Sequence, residues 1–176
     1  MAGFIAIGVF SAKTPSNQTE DKVKKENWSI GSFVDDFGEK TGVKFIHNAI
    51  KINGKFSNSA TNNSNLKVDF IISKKDVGIE LYEYNSSLAH FLDFYNIQIQ
   101  VQDKNGVRTE FKGTISNAGK RIGIAGQEQN RKIIIGILKA VGIVKFRISV
   151  SSSGNVMSNY AFDINADGFD TQYNQL

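Results

Sequence analysis

The sequence predicts an all-β domain: an antiparallel β-sandwich of about eight to ten strands, with one helix over about 127–141 and a short C-terminal helical turn. Three observations predict it. Six segments alternate apolar and polar residues at period two, turn signals separate them, and only one stretch breaks that rhythm with a helical one. Nothing in the chain reads as a βαβ crossover, which argues against a parallel sheet.

The first segment, Met1 to Ala12, is an apolar run of the length of a signal-peptide core and too short to cross a bilayer. Small residues at Ser11 and Ala12 fit a cleavage site, so 1–12 is expected to be an export segment and 13–27 a polar mature N-terminus. No basic residue opens the run, which leaves a genuine first strand or helix as the alternative. The folded domain is then 28–176, and the expected location is exported, either periplasmic or extracellular.

Within it, Ile50-Lys-Ile52-Asn-Gly54-Lys-Phe56, Leu66-Lys-Val68-Asp-Phe70-Ile-Ile72 and Val77-Gly-Ile79-Glu-Leu81 alternate as half-buried strands do. Between the first two, the small polar stretch from Ser57 to Asn65 reads as a connection that hydrogen-bonds its own backbone. Tyr95 to Gln102 alternates again, and Asp103-Lys-Asn-Gly106 supplies a tight turn into a second strand over 107–115, predicting a hairpin. From Gln127 to Ala140 a polar first turn precedes apolar residues at 134, 137, 138 and 141, with Gly142 as a stop. Helix is the expectation there; three consecutive Ile and Gly136 keep a buried strand open. Val144 to Val150 and Tyr160 to Ile164 complete the set of strands.

Composition excludes several chemistries. The chain has no Cys and only two His, His47 and His90, so disulfide scaffolds, thiol catalysis and His-rich metal sites cannot be built from it. Its 176 residues suffice for a core without staples. Net charge is +4, but the basic residues stand in scattered pairs, Lys74-Lys75, Lys120-Arg121 and Arg131-Lys132. Nucleic acid is therefore not an expected partner, and neither is stable membrane insertion of the mature domain.

Asp163-Ile-Asn165-Ala-Asp167-Gly168 matches the opening of a calcium loop, with oxygen ligands at alternate positions and Gly sixth. Its twelfth position is Asn174 rather than a bidentate Glu. The competing reading is a strand end, an Asx-Gly turn and a terminal helix that docks Phe169, Tyr173 and Leu176. Gly113 to Lys120 departs from a phosphate-binding loop in glycine spacing and at Arg121. Asp35-Asp36 and the pair Glu80 and Glu83 are the carboxylates available to a hydrolase, without a cleft that the sequence can define. No cofactor is implied.

Tyr82 and Tyr84 alternate with Leu81 and Glu83, so both are expected to face outward together. The loop that follows holds His90, Phe91 and Phe94, and these five residues are the candidate ligand contact. Phe91 and Phe94 folding inward as a cap is the competing expectation.

Trp28, Asp35-Asp36-Phe37-Gly38, Phe45-Ile46, Gly54-Lys-Phe56-Ser-Asn-Ser-Ala-Thr61, Leu81-Tyr-Glu-Tyr84 and Tyr160-x-Phe162-x-Ile164 through Gly168-Phe169, Tyr173 and Leu176 resemble a family of bacterial exported β-rich proteins without an assigned activity. More distantly, the Trp with paired Asp and the closing Gly-Phe segment are similar to small exported accessory proteins of type VI secretion systems. The Trp-to-Asp spacing differs from that pattern, and its paired cysteines are absent. The resemblance carries no catalytic residues. The expected function is an exported binding or accessory domain without evident catalytic machinery, with a protein or glycan partner; the alternatives are a hydrolase with a cryptic carboxylate site and a calcium-stabilised structural module.

Overall fold

The structure is a computed structural model that describes residues 26–125 and 128–176. The expected export segment and nearly all of the polar N-terminus lie outside the described residues. In chain order the elements are β1 (Trp28–Val34), β2 (Lys40–Asn48), β3 (Ile52–Asn58), β4 (Thr61–Ile72), β5 (Val77–Glu83), β6 (Ser87–Leu88), β7 (Asn96–Gln102), β8 (Arg108–Ser116), β9 (Arg121–Ile124), α1 (Glu128–Lys139), β10 (Ile143–Ser152), β11 (Asn155–Asn165) and α2 (Phe169–Tyr173).

The chain is mostly β, as expected, but it is not a sandwich. Eight strands close into an antiparallel barrel in the order β4, β3, β11, β10, β7, β8, β9, β5, and β5 returns to β4. Alternation could not reveal this, because it tells which side chains face inward in either architecture and says nothing of whether the sheet's two ends meet. Closure is decided by pairings between strands far apart in sequence: β3 with β11 from Gly54↔Phe162 to Asn58↔Ser158, and β5 with β9 at Gly78↔Gly123.

The inward positions of these strands are apolar and buried. A chain of rings runs through the core: Phe70 to Phe146 at 5.3 Å edge-on, then Phe146 to Phe162 at 5.2 Å stacked. Two glycines fit the wall together. A Cβ on Gly54 would lie 2.6 Å from the Ala161 carbonyl, so only glycine lets β3 approach β11 here, and Gly113 leaves space that Ile97 fills.

One mouth is closed by the helices. Ile134, Ile135 and Leu138 of α1 are buried, and α2 sends Phe169 inward against Trp28 at 5.1 Å. Lys139 pairs with Asp170 at 2.7 Å and ties the two helices. The helix expectation for 127–141 thus holds over Glu128–Lys139, although Val141, counted in the apolar stripe, is exposed. The expected hairpin is β7–β8, with Asp103 accepting from the amides of Asn105 and Val107. The polar stretch from Ser57 to Asn65 is mostly strand rather than loop. β3 runs to Asn58 and β4 begins at Thr61, with Asn58 Oδ1 accepting from the Ala60 and Thr61 amides.

β1 and β2 stand apart from the wall as a two-stranded ribbon. β2 joins the sheet by a short pairing, Ile46↔Ile72 and His47↔Ile71, and the chain then bends into β3 on the same side of β4. Asn48 bridges the bend. Its amide donates to the carbonyls of Ile50 and Val68, and its carbonyl accepts from the Phe70 amide, replacing ladder bonds that the bend would leave unmade.

Candidate functional site

The predicted contact residues do not form one surface. Tyr82 faces outward from β5, its hydroxyl donating to Glu80 at 3.0 Å and its ring 3.6 Å from Lys51 Nζ. Burial and the Glu80 carboxylate both raise its hydroxyl's pKa above the ordinary phenol value. Tyr84 turns the other way. Tyr84 and Asn85 take φ of 52° and 68° in the tight turn between β5 and β6, and this swings the Tyr84 ring edge-on to Phe56 at 5.0 Å. Strict alternation fails at Tyr84 because the strand has already ended.

Phe91 is 3% exposed and packs on Tyr160, its amide donating to the Gly119 carbonyl. It caps the mouth opposite the helices. Phe94 is 69% exposed and lies edge-on to Tyr95, while His90 lies exposed beside Gly119. The capping alternative therefore describes Phe91, and Phe94 stands outside it.

The calcium string is likewise dispersed. Asp163 projects outward from β11 toward Arg147 at 3.4 Å; Asn165 Oδ1 accepts from the Asp167 amide; Asp167 Oδ1 accepts from the Gly142 amide at 3.1 Å. Gly168 at φ 85° then starts α2. These residues build a strand end, an Asx turn and a helical turn, not a ring of converging oxygens. Among the described residues no group of three or more His, Cys, Asp or Glu could hold a metal ion.

The carboxylates do not converge either. Glu80 points outward and is held by Arg121 at 2.6 Å, while Glu83 follows the inward register of Val77, Ile79 and Leu81 and accepts from Tyr160. Asp35 is used by its own turn, accepting from the amides of Phe37 and Glu39.

A different feature is a built concavity. Across the outer wall, strand register aligns two rows of side chains: Lys55, Ala161, Arg147, Gln100 and Glu110, and beside it Ser57, Asn159, Ser149, Gln98 and Lys112. Small side chains at Ala161, Ser149 and Ser57 sink the middle, and longer ones rise around them, leaving a groove of about 740 Å³. Gln100 donates to Glu110 at 3.2 Å, Lys55 to Asn65 at 2.9 Å, and Arg147 to the Phe146 carbonyl at 2.6 Å. The side chains of Lys112, Gln98 and Asn159 have no hydrogen-bond partner or ion pair among the described residues. The rows carry three cations against one carboxylate and no aromatic side chain.

None of the groove residues was among the candidate contacts read from the sequence. The available signal was the solvent face of β7, Asn96, Gln98, Gln100 and Gln102, all amide where charged residues usually stand. Comparisons with protein-family models, with curated proteins and with solved structures find no match to this chain.

Proposed function

We propose that this chain is an exported binding domain that holds an acidic oligosaccharide in the groove across β3, β11, β10, β7 and β8. The observation that carries the reading is the pair of registered rows. Neutral amides and hydroxyls match the donor and acceptor pattern of sugar hydroxyls, and the excess of cations favours a ligand with carboxylate or sulfate groups. Five strands span about 19 Å from first to last, room for several sugar rings in file.

Other ligand classes fit less well. An apolar small molecule would leave the amides, hydroxyls and cations of both rows unpaired, and single-stranded nucleic acid draws on aromatic stacking platforms, which the two rows lack. Among the described residues, the hydrolase and calcium readings have no converging set of groups behind them. Export rests on the apolar run at Met1–Ala12 and on the resemblance to exported β-rich proteins. Calorimetric titration with an oligogalacturonate and with the neutral galactose oligomer of equal length tests the ligand class. Preferential, salt-sensitive binding of the acidic oligomer is expected. Equal binding of both, or of neither, would overturn the reading.

A further inference from the structure

The charges of the groove are banded by strand. Across β3, β11, β10, β7 and β8 the two rows carry a cation on every second strand: Lys55 on β3, Arg147 on β10 and Lys112 on β8. The strands between bring none. β11 contributes Ala161 and Asn159, and β7 contributes Gln98 and Gln100. The next row, outside the groove, repeats the pattern, with Lys145 of β10 and Arg108 of β8 flanking Gln102 of β7. Adjacent strands lie about 4.8 Å apart, so successive cation bands stand about 9.6 Å apart.

These cations remain available to a ligand. Lys55 donates to the neutral amide of Asn65, and the Lys112 side chain has no partner among the described residues. Arg147 engages only Nη1, on the carbonyls of Phe146 and Phe162 and on Asp163 at 3.4 Å, which leaves its other nitrogens open. Glu110 holds the place on β8 in line with Lys55 and Arg147, and it turns an arriving anion one row over, to Lys112.

An extended chain of pyranose rings advances by close to one strand spacing per ring. Laid across five strands it sets one ring over each, and the cations meet the first, third and fifth. We infer, resting on the oligosaccharide reading, that the groove selects a chain with an anionic group on alternate rings and neutral rings between. A carboxylate on every ring would place two of them over β11 and β7, where amides can donate a hydrogen bond but no charge offsets the lost water.

Calorimetric titration of the full chain with three oligomers of six rings tests this: a hyaluronan hexasaccharide, with carboxylates on alternate rings, hexagalacturonate, with one on every ring, and the neutral galactose hexamer. The alternating oligomer should bind about tenfold or more tighter than hexagalacturonate, and the neutral one weakest. Asn159→Lys places a cation in the neutral band on β11 and should narrow that ratio, mainly by tightening hexagalacturonate, a change that sugar identity cannot produce. Hexagalacturonate binding as tightly as the alternating oligomer, or a ratio unmoved by Asn159→Lys, would overturn the inference, while preference of either acidic oligomer over the neutral one would leave the oligosaccharide reading standing. Binding of neither acidic oligomer would overturn both.

Discussion

The Tyr160 hydroxyl donates to Glu83 Oε1 at 2.7 Å from the opposite side of a turn of wall, since β3 and β4 separate β11 from β5. The bond links two strands that are not neighbours, at the mouth that Phe91 covers. Burial first, and then the Glu83 carboxylate, raise the Tyr160 pKa above its ordinary value near 10. The folded state therefore holds this proton more tightly than the unfolded chain. Stability from Tyr160, and from Tyr82, should be complete below about pH 10 and decline as pH rises beyond it. Phenolate absorbance during an alkaline titration should show these two tyrosines ionising last, together with unfolding. Tyr160→Phe should flatten that decline and cost about 1–3 kcal/mol at neutral pH.

Phe91 and Phe94 lie three residues apart in one segment and should behave oppositely. Phe91→Ala empties a buried site on Tyr160 and should cost about 3–5 kcal/mol in denaturant unfolding. Phe94→Ala should leave the midpoint within about 0.5 kcal/mol of wild type.

Asn48 serves three backbone groups at the bend between β2 and β3. Asn48→Ala strands the Phe70 amide and the Val68 carbonyl and should cost about 2–4 kcal/mol. Asn48→Asp keeps an acceptor for Phe70 but cannot donate, so it should also destabilise. Thermal melting of the two variants checks both.

In the groove, Arg147→Ala and Lys112→Ala should each weaken binding of the acidic oligosaccharide by about tenfold to a hundredfold, the worth of a charge-assisted hydrogen bond. Glu110→Gln should strengthen it by removing the one carboxylate of the two rows. Calorimetry at two salt concentrations measures all three, and the cation variants should show the shallower salt dependence.

The strands that alternate cleanly, such as Asn96–Gln102 and Ile143–Ser152, were legible because burial on one face writes itself into the sequence at period two. β1 and β2 were not. Gly31, Gly42 and the run of exposed residues from Lys40 to Lys44 belong to a ribbon with little core beneath its far end, so no alternation is imposed there. The site was less legible than the fold. Its residues come from five strands in three separate stretches of chain, and only cross-strand register brings Lys55 and Glu110 into one row. Tyr82 and Tyr84 misled because spacing by two means a shared face only while the strand continues, and positive φ at Tyr84 ends it.

The pairing of β3 with β11 ties residues 54–58 to 158–162, almost the whole domain apart. As the chain leaves the ribosome, the β3–β4–β5 meander can assemble early, but its β3 edge waits unpaired until the final strand has been made. A nascent chain is therefore an open sheet for most of its synthesis. Any truncation that removes β11 leaves two exposed edges, β3 and β10, and turns a closed wall into an aggregation template.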